Sequence, residues 1–167
     1  MLAQQITKAP IDEVKCRLYD ECLVRIRLCL DQLTDAQVWW RPNAESNSIG
    51  NLLLHLNGNV RQWVLTGLGG LPDNRKRQEE FDARDNGNKE ALWQTLYTTM
   101  QELIPVIDAV VPEQLLVKRN VQTFEETGMT ILVHVTVHFS YHTGQIAWIT
   151  KMLKERQLGF YEGIKLE

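Results

Sequence analysis

The sequence predicts an all-α fold, a four-helix bundle with long connections between its helices. Four segments repeat apolar residues with the 3.6-residue period of an amphipathic helix, and none shows sustained alternation of apolar and polar residues. The chain of 167 residues is long enough to bury a core without disulfides or a structural metal, so residues 1–167 are predicted to form a single domain. Long connections allow arrangements other than a series of simple helical hairpins.

The first two predicted helices are separated by a connector that contains two adjacent tryptophans. The first helix covers residues 10–33 and begins at Pro10, because proline suits the first position of a helix. After the connector, either Asn47 or Ser48 caps a second helix that runs to about Leu68.

The third predicted helix follows a long polar loop from Pro72 to Gly87. It begins near Asn88 and carries apolar residues on one side as far as Val110, although Pro105 is expected either to kink it or to end it early. The short and mixed segment that follows, "LLVKRNVQTFEETG", is expected to be irregular, and a short extended piece within it is compatible with the sequence. The fourth helix is predicted from about Met129 to Glu155.

Charge and composition argue against several classes of protein. A net charge of -3 gives no general attraction to nucleic acids or anionic membranes, and the short basic run at residues 75–77 is interrupted by acidic residues, as in a solvated loop. No apolar stretch is long enough to span a membrane. The spacing of the three cysteines, Cys16, Cys22 and Cys29, matches neither a disulfide framework nor a CxxC metal site. Cys22 and Cys29 are predicted to be small core residues. A reducing cytoplasm is the expected location.

Three histidines recur at four-residue spacing on the fourth helix. In a helical projection centred on Ile131 and Ile149, His138 and His142 each lie about 20° from the centre and are predicted to point into the bundle, whereas His134 lies about 60° away, at the boundary. Residues eight apart are separated by about 12 Å along the axis, so a single ion cannot easily be shared by all three.

The fourth histidine, His55, is predicted at the rim of the apolar arc of the second helix. Together with His138 and His142 it would supply three nitrogen ligands and leave coordination positions open, which is typical of a catalytic metal site. Phe139 stands where the zinc-protease motif has its glutamate, so that class is excluded. An alternative is that the buried histidines only form hydrogen bonds with their neighbours. A buried ring nitrogen without a hydrogen-bond partner, however, would lower the stability of the fold by roughly 1–3 kcal/mol.

Two stretches carry most of the distinctive residues: "SIGNLLLHL" at residues 48–56, preceded by "WWRPN", and "HVTVHFSYHTGQI" at residues 134–146. Together they resemble the signature regions of the DinB-like superfamily of bacterial four-helix metalloproteins, which includes the YfiT-like proteins. In that superfamily the metal is held by a histidine of the second helix and an H-x-x-x-H pair of the last helix. The resemblance, which extends from the first helix to the fourth, therefore implies His55, His138 and His142 as metal ligands.

The resemblance also implies a class of chemistry. Superfamily members with known activities are mainly thiol-dependent transferases and isomerases, which suggests that a divalent ion, zinc or nickel, activates a low-molecular-weight thiol or water against a small-molecule electrophile. The candidate residues of the pocket or of the outer metal environment are His134, Asn59, Trp63, Tyr141 and Gln145. Many relatives carry an acidic residue after the histidine of the second helix; this chain has "HLNGNVRQW", and Asn59 cannot act as a general base.

Whether the protein is catalytic stays open at the level of sequence. The alternative is a non-catalytic bundle, either stabilised by a metal or free of metal, that serves as a stress-linked binding or interaction module. A homodimer is also compatible with the sequence, through helix one or through the region of Trp39 and Trp40.

Overall fold

Four long helical segments form the fold, as predicted, with shorter helices and one hairpin in their connections. The structure is a computed structural model that describes residues 2–85 and 87–165, so that Asn86 of the predicted polar loop lies outside it. The elements in chain order are α1 (Leu2–Lys15), α2 (Val24–Asp31), α3 (Asp35–Trp39), α4 (Ile49–Val60), α5 (Arg77–Asp82), α6 (Lys89–Asp108), β1 (Lys118–Val121), β2 (Phe124–Thr127) and α7 (Gly128–Lys154).

The first helix starts earlier than predicted. α1 and α2 are joined by a π-helical segment, Cys16–Leu23, and together they make the first long helix. The prediction that this helix begins at Pro10 is wrong, because Pro10 lies inside α1. Proline leaves the carbonyl four residues earlier without its helical partner. That carbonyl belongs to Ile6, which is 62% exposed, so water can solvate it.

Ser48 is the residue that caps the second helix. Its hydroxyl accepts a hydrogen bond from the Asn51 backbone amide, and the Asn51 side chain accepts one in return from the Ser48 amide. α4 continues as a π-helical segment, Arg61–Thr66, so the helix ends close to the predicted residue 68.

The third helix begins as predicted and runs through its proline. The Asn88 side chain accepts a hydrogen bond from the Ala91 amide at 2.8 Å, which caps α6. The helix continues past Pro105 to Asp108. Pro105 and Gln101 are both exposed, so the carbonyl that loses its partner faces solvent.

A β-hairpin occupies the segment that was expected to be irregular. β1 and β2 pair in antiparallel register, from Lys118 opposite Thr127 to Val121 opposite Phe124. Strands of four residues are too short to show an alternating pattern in the sequence. Thr127 then caps α7, because its hydroxyl accepts a hydrogen bond from the Thr130 amide.

One apolar core lies between the long helices. α4 packs against α5, α6 and α7, while α2 and the π-helical segment of the first helix pack against α7. Cys22 and Cys29 are buried free thiols in this core, as predicted. The largest fully buried side chains include Leu18, Ile26, Leu53, Leu56, Leu96, Met100, Leu103 and Phe139.

None of the helices in residues 2–85 and 87–165 combines the length and the apolar character needed to cross a membrane.

Candidate metal centre

His55 is more deeply buried than the sequence predicted. Its position on α4 is 5% exposed, although the helical projection placed it at the rim of the apolar arc. The reason is α5, which lies over this face of α4 and packs the ring of Phe81 against the imidazole, with the ring centroids 4.7 Å apart and the planes inclined at 42°. The projection of a single helix cannot include a covering helix that lies far along the chain.

His138 and His142 point into the bundle, toward His55, as predicted. They lie at the edge of the buried face of α7, however, and not near its centre. The buried face is centred about 60° further round, near Ile146, because the first helix packs on that side. Thr143 and Thr150 belong to this buried face, and their hydroxyls donate to the carbonyls four residues earlier at 2.8 Å. Each threonine thus satisfies its own polar atom and packs like an apolar residue.

The three histidines nevertheless converge. Nε2 of His138 lies 3.1 Å from Nε2 of His55 and 3.2 Å from Nε2 of His142. One ligand atom from each of the three falls within 4.8 Å of the others. Zinc–imidazole bonds of about 2.0–2.1 Å place two ligand nitrogens roughly 3.0–3.4 Å apart, so these separations fit a shared ion.

The outer nitrogens of two of these rings have defined partners. Nδ1 of His55 lies 2.9 Å from Oε2 of Glu80, and Nδ1 of His142 lies 2.6 Å from Oε1 of Gln145. Because a carboxylate or amide oxygen only accepts, each Nδ1 must carry the proton, and Nε2 is left with its lone pair toward the shared point. Within the described residues, the buried Nδ1 of His138 has no partner.

Glu80 is itself fixed by a buried ion pair. Nε and Nη2 of Arg75 donate to its two carboxylate oxygens at 2.7 and 2.9 Å, and the side chains of Arg75 and Glu80 are only 4% and 10% exposed. Arg75 Nη2 also lies 3.2 Å from Nδ1 of His55, but both nitrogens are donors and both point to the same carboxylate oxygen. Burial opposes ionisation of Glu80, yet the hydrogen bonds from Arg75 and His55 and the positive charge of Arg75 outweigh it and lower the pKa of the carboxyl.

Gly58 makes room for this ion pair on α4. A Cβ at position 58 would lie 2.0 Å from Oε1 of Glu80 and 2.9 Å from Nε of Arg75. Glycine in a helix interior is unfavourable by about 1 kcal/mol relative to alanine, so its presence here is explained by the close approach of the carboxylate.

The histidines of α7 are neutral at physiological pH. Burial, together with the proximity of His142, His55 and His134, lowers the pKa of His138 to about 3. Burial also lowers the pKa of His142 and of His134. Neutral imidazole is the form that binds metals, so these rings are available as nitrogen donors.

His134 does not join the cluster and instead packs in the adjoining cleft. Its ring stacks on the indole of Trp63 at a centroid distance of 3.6 Å, and its Nε2 lies 3.5 Å from Nδ2 of Asn59. The buried atoms Oδ1 of Asn59 and Nε1 of Trp63 have no partner among the described residues. Tyr141 is 63% exposed, with its ring edge-on to His142.

A cleft of about 270 Å³ gives access to His55, His134 and His138. Its walls include the rings of Trp63 and Phe124, the Arg77 guanidinium and the Glu126 carboxylate. A larger cavity, of about 410 Å³, is also lined by Arg75 and Glu80, but by none of the four histidines. The smaller cleft is therefore the one that reaches the candidate centre.

Sequence reasoning missed Arg75 and Glu80. They belong to a stretch that was interpreted as a solvated loop, and that interpretation is wrong for these two residues because both side chains are buried against α4. The available signal was Gly58, a glycine inside an apolar helix three residues after His55, which indicates that another group approaches closely.

Comparison with known proteins assigns the chain to a family. The structure is similar to a DinB-like protein from Bacillus cereus, with a TM-score of 0.64 and 12% identity over 81% of this chain and 87% of that one. It is also similar to a conserved protein from Enterococcus faecalis, with a TM-score of 0.66 and 16% identity over 92% of this chain and 98% of that one. These likenesses show the fold and confirm the predicted DinB-like architecture. No curated protein is similar in sequence. Since residues 11–161 match the family described as "Protein of unknown function (DUF1572)", the chain belongs to the DUF1572 family.

Proposed function

We propose that the protein is a metalloenzyme in which His55, His138 and His142 bind a divalent ion and leave positions open for a substrate. The observation that carries the proposal is the convergence of three Nε2 atoms at separations of 3.1 and 3.2 Å. Imidazole suits zinc and nickel, which are the proposed ions.

The number of ligands favours a catalytic over a structural role. Structural zinc sites use four protein ligands, whereas catalytic sites use three and keep a position for water or substrate. In residues 2–85 and 87–165, the group of side chains able to share an ion comprises only the three histidines. The cleft beside them supplies the access that a substrate requires.

We propose a small-molecule electrophile and a low-molecular-weight thiol, or water, as the reactants. A zinc or nickel ion, when bound, lowers the pKa of a thiol or water that occupies an open position. Trp63 and His134 form a stacked wall on which the electrophile packs, and the Asn59 amide adjoins that wall.

Glu126, and not Glu80, is the carboxylate proposed to transfer protons. The carboxylate of Glu80 accepts from both Arg75 and His55, so its role is to hold His55 in place. Glu126 lines the cleft, and no other side chain of the described residues forms a salt bridge with it. It can therefore accept a proton from an incoming thiol or water.

The experiment is elemental analysis of the purified protein, compared with the His55→Ala, His138→Ala and His134→Ala variants. The proposal expects one ion per chain in the wild type and in His134→Ala, and less than about a tenth of that in the other two. A wild-type protein that takes up no ion after incubation with zinc or nickel would refute it.

Catalysis is tested separately, by conjugation of monochlorobimane in the presence of a panel of thiols. A metal-dependent rate that is lost in His138→Ala supports the enzyme. Stoichiometric metal without turnover of any thiol or ester substrate would instead favour the non-catalytic, metal-stabilised bundle.

A further inference from the structure

An apolar stripe is exposed along the outer face of α7. Its large members Val133, Val137, Tyr141 and Trp148 are 52%, 64%, 63% and 61% exposed. Their spacing of four, four and seven residues places them on one side of the helix. Single exposed apolar residues are ordinary, but a contiguous row of them indicates an interaction surface.

This face is also uncharged. Residues 128–150 contain no Asp, Glu, Lys or Arg, although the stripe faces solvent. Solvated helix faces normally carry charged residues, whereas the centres of protein interfaces are depleted of them. The composition of this face is therefore that of a covered surface.

Gly144 lies within the stripe, and packing inside the chain does not explain it. A Cβ at this position would meet no atom within 4 Å. Alanine would be more favourable in the helix by about 1 kcal/mol. A glycine on an open face leaves room for a side chain from another molecule.

We propose that a second copy of this chain packs against the stripe, with the two α7 helices antiparallel about a twofold axis. One register places Val133 opposite Trp148 of the second copy, Val137 opposite Gly144, and Ser140 opposite Tyr141. Every pair sets a larger side chain against a smaller one, and twofold symmetry repeats each contact. The stripe is thus complementary to itself.

Charge favours the antiparallel over the parallel arrangement. Lys151 and Lys154 lie in the last turn of α7, and Glu125 and Glu126 precede its first turn. Antiparallel helices bring the basic end of one copy beside the acidic end of the other and oppose the helix dipoles. Parallel helices would place the lysines together and Trp148 against itself.

The exposed area is sufficient for a dimer. At the fractions given above, the two aromatic residues and two valines offer on the order of 500 Å² per copy, and flanking residues bring this to the roughly 800 Å² per partner of a standard interface. The region of Trp39 and Trp40 is less suited, because Trp39 is half-buried and donates its indole N–H to the Gly87 carbonyl at 2.8 Å. The proposed interface borders the histidines through Tyr141 but needs no metal.

Sedimentation velocity of the full chain tests the interface with two matched lysine substitutions. At about 10 µM the wild type is expected to be a dimer, and Val137→Lys is expected to raise the dissociation constant at least about 100-fold, because it buries a charge. Val24→Lys is the control, since Val24 is also an exposed helical valine, 48% exposed, but lies on α2. It should remain a dimer.

Gly144→Leu separates loss of the interface from loss of the fold. The added side chain collides with Val137 of the second copy, so the dimer should dissociate, whereas the dilute monomer should melt at the same or a higher temperature. In a Cys16→Ser background, Tyr141→Cys should form a disulfide-linked dimer on oxidation. Trp148→Cys should not, because its two copies are separated by roughly 22 Å along the helices.

Several outcomes would overturn the proposal. A monomeric wild type at about 100 µM would do so, as would a dimer that survives both Val137→Lys and Gly144→Leu. Efficient disulfide linkage through position 148 alone would indicate parallel helices. A monomer that floats with phosphatidylcholine vesicles would show that a lipid surface covers the stripe instead.

Discussion

Glu80 accepts a hydrogen bond from Nδ1 of His55 at 2.9 Å, which links a short helix after a polar loop to the candidate metal centre. The same carboxylate is held by Arg75 and fits against α4 because residue 58 is glycine. This arrangement fixes the orientation of one of the three converging rings.

Replacement of Glu80 by glutamine should weaken metal binding by about 10–100-fold, because the oriented carboxylate partner of His55 is lost. Competition with a chromophoric chelator measures the affinity. Glu79→Gln is the matched control, since the Glu79 side chain is 71% exposed and pairs with Lys76. Equal affinities for the two variants would show that Glu80 does not position His55.

Gly58→Ala should destabilise the protein by about 1–3 kcal/mol, even though alanine favours helices, because the new Cβ would lie 2.0 Å from the Glu80 carboxylate. Urea unfolding measures the change in free energy. In a Glu80→Ala background the same substitution should cost less, since the colliding carboxylate is absent. If Gly58→Ala lowers the free energy of unfolding equally with and without Glu80→Ala, the strain does not arise from contact with the Glu80 carboxylate.

The stability of the metal-free protein should fall as the pH decreases below about 6.5. Burial lowers the pKa of His138 from 6.5 to about 3, so the unfolded chain binds a proton in this interval that the folded chain does not. This contribution is fully present above pH 6.5 and is lost progressively toward pH 3. His138→Gln should show a shallower fall in melting temperature, while the titration of Glu80 is common to both proteins. If the melting temperatures of the two proteins fell in parallel with decreasing pH, the assignment of this pH dependence to His138 would be contradicted.

His134→Ala should leave the affinity for metal within about threefold of the wild type, because the ring stacks on Trp63 and is not part of the converging cluster. It should destabilise the fold by about 1 kcal/mol through the lost stacking. If the proposed conjugation reaction is observed, its KM should rise more than its kcat falls, since the stacked wall contacts the electrophile. Loss of metal in this variant would make His134 a ligand.

Much of the fold was accessible from periodicity and capping. The apolar repeats located the four long helices, and Asn88 and Ser48 mark helix starts because their side chains satisfy free backbone amides. The pairing of His55 with His138 and His142 followed from helical spacing together with the family resemblance, and the structure brings the three rings together.

The features that were missed depend on hydrogen bonds and ion pairs that polar residues form only in the folded chain. Arg75 and Glu80 are polar in the sequence, and only their mutual pairing and the space at Gly58 allow them to be buried. The buried face of α7 was misplaced because Thr143 counts as polar in a projection, while its hydroxyl is satisfied within the helix. In both cases a polar residue can be buried because the folded chain supplies it with a partner.

X-ray absorption spectroscopy of the zinc-loaded or nickel-loaded protein tests the central claim most directly. The account predicts an ion bound by three imidazole nitrogens at about 2.0–2.1 Å, together with at least one exchangeable light atom, and a change in the first shell when a thiol is added. A spectrum with one imidazole or none would contradict it, because the rings of His55, His138 and His142 would then not share an ion.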